Sequence, residues 1–137
     1  MSADFFDTNI LIYLFDETDA RRRATATNLI TEAIRDGTGL ISSQVVQEAL
    51  NVLLTKLHAS IEDARSALER VLFPLWDVYP TPALYERALD LAARHSYHFY
   101  DSLILAAALE ARCDRLLSED FQHGQVIDGL TIHNPFV

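Results

Sequence analysis

The sequence predicts an α/β domain, a three-layer α/β/α sandwich built on a mainly parallel sheet and occupying residues 1–137 as a single domain. Short apolar runs alternate with stretches of helical periodicity, the pattern of a parallel sheet covered by helices on both faces. A chain of 137 residues, 50% of them hydrophobic, is long enough to bury one core. No internal repeat, low-complexity stretch or linker divides it.

The first strand is Phe5-Phe6, followed by a short apolar stretch, Ile10 to Phe15, read as a helix that Asn9 could cap. From about Asp19 the spacing of Ala26, Leu29, Ile30, Ala33 and Ile34 predicts an amphipathic helix, and Gly37 closes it. Its first turn carries Arg21, Arg22 and Arg23. Adjacent residues on a helix point in different directions, so such a run usually means a solvated face; the functional alternative is a patch that contacts phosphate. Gly39 to Ser43 is a second strand ending in serines suited to capping. The next helix puts Val46, Ala49, Leu50, Leu53 and Leu57 on one face, with Gln44, Glu48, Asn51 and Thr55 on a polar stripe.

Ser60, with Asp63 three residues on, opens another helix, which Pro74 is expected to end. Trp76 to Tyr79 alternates and meets Pro80, the mark of a peripheral strand. Thr81 and Pro82 start a helix with Leu84, Ala88, Leu91, Ala92 and His95 toward the core. Tyr97 to Ser102 leads into Leu103–Leu109, apolar nearly all round and therefore buried. Arg115 to Ser118 is a fourth strand, Glu119 to Asp128 a loop, and Leu130 to Ile132 a last strand.

Charge and composition narrow the function. A net charge of -9 argues against a broad basic surface for nucleic acid, since such binding draws on phosphate neutralisation. A nuclease with this charge would need metal ions to mediate, and the same acidity would attract a basic protein partner. The longest apolar run falls far short of the roughly 20 residues of a membrane span, so no membrane association is expected. The single cysteine, Cys113, cannot form an internal disulfide, and no leader-like pattern opens the sequence; the expected setting is reducing and cytoplasmic.

Four acids share a structural address. Asp7 ends the first strand, Glu48 lies early in the helix after the second, Asp101 heads the buried helix, and Asp120 follows the fourth strand. Parallel strands point the same way, so all four positions fall at the carboxyl edge, where open α/β sheets bind ligands. Each acid has a plainer reading as a cap, turn or solvated residue. Asp101 fits that reading least. It borders a helix without a polar face, and the nearest downstream cation, Arg112, is about 16 Å away along a helix. Carboxylates a few ångströms apart raise one another's pKa, and a hard cation relieves the conflict. Oxygen-only ligands favour Mg²⁺ or Mn²⁺ over zinc. Such ions activate water and neutralise charge at a phosphodiester.

Phe6-Asp7-Thr8-Asn9, the mid-helix Glu48, Tyr100 to Ala108 and Leu117 to Gly124 together resemble the PIN-domain ribonucleases, specifically the VapC-like toxins of type II toxin–antitoxin systems. The resemblance covers the whole chain in order. It implies a parallel-sheet sandwich, Mg²⁺- or Mn²⁺-dependent endonucleolytic cleavage of RNA, inhibition by a cognate antitoxin, and a homodimer. Matched block by block, the family's acids fall on Asp7, Glu48, Asp101 and Asp120, as metal ligands and catalytic residues. Thr8, Asn9 and Ser118 become candidates to orient carboxylates, waters or substrate. Glu119 competes with Asp120 for the fourth place. Rival readings are a catalytically degenerate PIN-like binding module and a metal-dependent phosphatase or phosphotransfer domain. Of the other polar and aromatic candidates, His98 and His123 could touch phosphate, and Trp76 and Tyr79 could stack on bases; the plainer readings are surface hydrogen bonding and burial in the fold.

Overall fold

The computed structural model describes residues 2–137. In chain order the first half comprises β1 (Asp4–Phe6), α1 (Thr8–Ile12), α2 (Ala20–Asp36), β2 (Gly39–Ser42), α3 (Ser43–Thr55) and α4 (Ile61–Ala67). A π-helical turn over Leu68–Leu72 leads into α5 (Phe73–Leu75). There follow β3 (Trp76–Val78), α6 (Pro82–His95), α7 (Phe99–Glu110), β4 (Arg115–Leu117), β5 (Val126–Ile127) and β6 (Leu130–His133). The six strands form one sheet in the order β3-β2-β1-β4-β6-β5, parallel throughout except for β5, which runs antiparallel to β6. The predicted sandwich class is the observed one.

The strand order explains the layering. From β1 the chain steps to β2 and then β3; it then crosses back over both to reach β4 on the other side of β1. Right-handed crossovers in opposite directions place their helices on opposite faces, α1 to α5 on one and α6 and α7 on the other. Where the direction reverses, between β1 and β4, a crevice opens at the carboxyl edge. The sequence puts Asp7 just after β1 and Asp120 just after β4, so the topology itself delivers two of the acids to that crevice.

The core is continuous across both faces of the sheet. Phe5, Phe6, Ile41, Leu116 and Leu117 are fully buried in the strands, and Ile104 to Ala108 of α7 pack almost without exposure. One glycine is dictated by packing: a Cβ on Gly39 would come within 2.8 Å of both Ala33 Cβ and Phe6 Cε2. Side-chain caps fix most helix starts, with Asp19, Ser42, Ser60 and Thr81 each accepting from a backbone N–H in the first turn.

The structure corrects several boundaries. Asp7, not Asn9, caps α1, which ends at Ile12 rather than Phe15. Pro74 does not end its helix, because the wider π turn just before it carries the helix on to Leu75. Helix α7 begins at Phe99, so Tyr100 and Asp101 are inside its first turn. The stretch expected as a loop from Glu119 to Asp128 contains β5, joined to β6 by Asp128 and Gly129, both at positive φ (50° and 88°). The peripheral strand is confirmed, with β3 at the edge of the sheet.

Candidate active site

The site is built outward from Asp7. Its backbone N–H donates to the Leu117 carbonyl across the β1–β4 gap (3.0 Å), which continues the ladder one residue past the strand. Its carboxylate is 5% exposed and accepts from two donors: the Thr8 N–H to Oδ1 and the Ser118 hydroxyl to Oδ2, each at 2.7 Å. The cap reading of Asp7 is therefore correct as far as it goes, but a cap does not require burial. Burial pushes the carboxyl from 3.8 up to about 7, against the two hydrogen bonds, and the charges of Asp120 and Glu48 push the same way.

Ser118, fully buried, joins two of the acids. While its hydroxyl donates to Asp7, its oxygen accepts the Asp120 N–H (3.0 Å), so the β4 exit is bent around one side chain. The neighbouring acid takes another direction. Glu119 accepts from the Tyr13 hydroxyl (2.6 Å) and from Arg22 Nε (3.2 Å), with Arg22 also paired to Asp19 and lying over the rings of Tyr13 and Phe136. Asp120 lines the cleft that Asp7 lines; Glu119 anchors the segment to α1 and α2.

That cleft, of about 370 Å³, brings all four predicted acids together: Asp7, Glu48, Asp101 and Asp120. Glu48 projects from α3 and Asp101 from the first turn of α7. Both carboxyls are raised above their ordinary values, first by desolvation against the cleft wall. Asp120 raises each further, and Asp101 also raises Glu48, whereas Gln44 for Glu48 and His98 for Asp101 act the other way. Among the described residues no arginine lines the cleft, and the one cation that does is Lys56.

The donor set suits a hard cation. Besides the four predicted carboxylates and a fifth, Asp16, the cleft is lined by Thr8, Asn9 and Gln44, and Thr8 Oγ1, both polar atoms of the Asn9 amide and Gln44 Oε1 are buried without a hydrogen-bond partner. Buried polar atoms normally find partners, and a hydrated oxygen-seeking ion beside carboxylates would supply them. Among the described residues, no three His, Cys, Asp or Glu side chains are already drawn together as a metal cage.

Sequence reasoning missed several cleft residues. Gln44 and the predicted Glu48 are joined at strict four-residue intervals by Val52 and by Lys56, at the end of α3, and all four line the cleft. That spacing was readable; beyond Glu48 the predicted stripe turned to Asn51 and Thr55 and so missed Val52 and Lys56. Tyr13, Asp16 and Tyr100 also line it and carried no separable signal. Of the arginine run, Arg22 is committed to Asp19 and Glu119 and Arg23 to the Leu14 carbonyl, and none of the three reaches the cleft. His123 accepts from the Asn134 N–H, and Trp76 donates to Ser43 Oγ within a Phe73–Trp76–Tyr79 ladder at the sheet edge. Cys113 is buried, its thiol pushed up to about 12, and is inert.

Several solved structures share this architecture. The chain is similar to a toxin–antitoxin complex from Klebsiella pneumoniae, with 26% identity, 98% of each chain covered and a TM-score of 0.68. It is similar to VapC20 of Mycobacterium tuberculosis, a Sarcin-Ricin loop cleaving toxin, with 24% identity, 86% of this chain and 92% of the other covered, and a TM-score of 0.67. It also shares the fold of VapBC2 from Rickettsia felis, bound to a DNA fragment of its promoter, with 18% identity, 96% and 98% covered, and a TM-score of 0.71. No match is found among curated protein sequences. The PIN-domain family model matches residues 5–127, nearly the whole sandwich and all four cleft acids, and the chain belongs to the PIN-domain family.

Proposed function

We propose that this chain is a Mg²⁺- or Mn²⁺-dependent endoribonuclease, the toxin of a toxin–antitoxin pair acting in the cytoplasm. The observation that carries this reading is the convergence of Asp7, Glu48, Asp101 and Asp120 on one cleft without an arginine. Family membership and the similarity to a Klebsiella pneumoniae toxin–antitoxin complex support it.

In this reading Asp7, Asp101 and Asp120 hold the metal, with Glu48 completing the set. A divalent ion held there supplies an activated water and neutralises charge on a phosphodiester. The chain's own residues organise the donors. Thr8 N–H and the Ser118 hydroxyl fix both oxygens of Asp7, and Ser118 ties Asp120 to the same point. Thr8 and Asn9 offer polar atoms for bound water or substrate. Asp7 must give up its proton to ligate, so binding weakens as the pH falls below about 7.

In this reading an antitoxin has a seat beside the site. A groove of about 660 Å³ is lined by apolar residues such as Leu53, Leu57 and Val71, by the acids Glu17 and Asp63 and by Arg23 and Arg70, and it shares Asp16 and Lys56 with the acidic cleft. An amphipathic segment laid there would cover the apolar lining, and a cationic side chain extended from it into the adjoining cleft would meet the carboxylates, as the net charge of -9 favours. In this reading the toxin is a homodimer, as its family resemblance implies. No described helix is long and apolar enough to cross a membrane.

The test is incubation of the protein with RNA, duplex DNA and a small phosphate ester, in Mg²⁺, Mn²⁺ or EDTA, beside Asp7→Asn and Asp101→Asn. Metal-dependent cleavage of RNA alone, lost in both variants, is expected. Hydrolysis of the ester alone would favour a phosphatase, and no turnover of any substrate by the folded protein would favour a binding module.

A further inference from the structure

A second groove, of about 290 Å³, lies where α3, α6 and α7 meet the ends of β2 and β3. It shares Gln44 and Tyr100 with the acidic cleft, so the two adjoin across this hydrogen-bonded pair and a nucleotide next to one held at the acids lies within its reach. Resting on the ribonuclease reading above, we propose that this groove is a nucleobase subsite, which stacks an unpaired base flanking the scissile phosphate of single-stranded RNA.

Three observations point to a base. First, the groove presents aromatic rings that the core does not use: Tyr100 is 68% exposed, Tyr85 43% and Phe99 37%, with Phe99 and Tyr100 in edge contact at 5.6 Å. Second, polar groups accompany the rings. The Gln44 amide donates to the Tyr100 carbonyl (3.2 Å), which ties the start of α7 to α3, and Gln47 offers an exposed amide suited to a base edge. Third, the charge favours contacts that need no cation. With a net charge of -9 and, among the described residues, a single lysine in the cleft, a bound metal would be the main counter-charge to the scissile phosphate, and stacking on aromatic rings would add affinity for the flanking nucleotide. The volume lies just below the ≈ 300–1,000 Å³ range of small-molecule sites, which suits a single base rather than a helix.

The alternative occupant, a second copy of the chain, is an outcome of the test. The probe is a short unstructured RNA carrying 2-aminopurine at successive positions, mixed with the full-length protein in Mn²⁺ and read before turnover. Quenching at one position is expected, with binding weakened roughly tenfold by Tyr85→Ala and by Tyr100→Ala and retained by Tyr85→Phe. Thermal melting confirms that each variant folds, and cleavage is scored separately. Quenching without cleavage would sustain the subsite and sink the ribonuclease reading. Cleavage with no quenching at any position, or with binding unchanged in both alanine variants, would overturn the subsite. A dimer that dissociates in Tyr85→Ala while RNA binding is unaffected would overturn it too, and would assign the groove to the second copy.

Discussion

Asp4 and Asp7 stand three residues apart, at opposite ends of the same strand, and are treated in opposite ways. Asp4, at the amino edge of β1, receives a two-pronged ion pair from Arg115 on β4, at 2.9 and 2.7 Å. Asp7, at the carboxyl edge, is more deeply buried and faces Asp120 and Glu48 without a guanidinium. Paired acids recur elsewhere: Asp19 with Arg22 and Asp128 with Arg94. The chain neutralises acids where stability is the need, and it concentrates unneutralised ones at the edge where α/β sheets bind ligands. Leaving a buried carboxylate uncompensated costs stability, so the contrast points to a cation supplied from outside.

The comparison can be broken most severely at the cleft. Asp7→Asn and Asp101→Asn should each reduce RNA cleavage by at least about a hundredfold, since even groups that only orient metal ligands are worth ten- to a hundredfold. Asp4→Asn should leave cleavage near the wild-type rate. Steady-state cleavage of one RNA by the three variants checks this, and comparable losses in all three would dissolve the distinction between the two ends of β1.

Stability should move the other way. Because the folded-state carboxyl of Asp7 sits at about 7 and the unfolded one near 3.8, its charged form is disfavoured by folding. The penalty is absent below about pH 4, grows between about 4 and 7, and is complete above that. In metal-free buffer the protein should therefore lose stability as pH rises through this window, by up to about 4 kcal/mol from Asp7. Asp7→Asn keeps an oxygen for the Thr8 N–H and should flatten the profile, melting above wild type at pH 8. Denaturant titration across pH reads both.

Ser118→Ala should fall between these effects. Losing the hydroxyl removes one acceptor and one donor from a buried bridge, for a cost of about 1–3 kcal/mol in stability, and it should weaken Mn²⁺ binding ten- to a hundredfold by releasing Asp7 and Asp120. The smallest change is expected at the amino edge. Asp4→Asn breaks a partly exposed pair and should cost no more than about 1 kcal/mol. A cost larger than that of Ser118→Ala would reverse the ranking.

Much of this was legible in the sequence, for identifiable reasons. A carboxyl-edge address follows from strand order alone, so Asp7 and Asp120 could be placed together across more than a hundred residues. Glu48 and Asp101 followed from helix starts. The fine choice between Glu119 and Asp120 was not legible, because it depends on Arg22 and Tyr13 arriving from α1 and α2 to claim Glu119. The start of α1 was misjudged because Asp7 serves as cap and cleft acid at once. The β5–β6 hairpin did have a signal in Asp128-Gly129, the dipeptide that favours tight hairpin turns, but β5 is only two residues long and shows no alternation. Pro74 misled because a π turn has no sequence signature of comparable strength.

The most direct measurement is the melting temperature in increasing Mn²⁺ for wild type, Asp4→Asn and Asp7→Asn. A ligand that binds only the folded state stabilises it by mass action, so wild type and Asp4→Asn should rise together, while Asp7→Asn, though more stable without metal, should not respond. An undiminished Mn²⁺ response in Asp7→Asn would contradict the claim that these unpaired acids are a metal site.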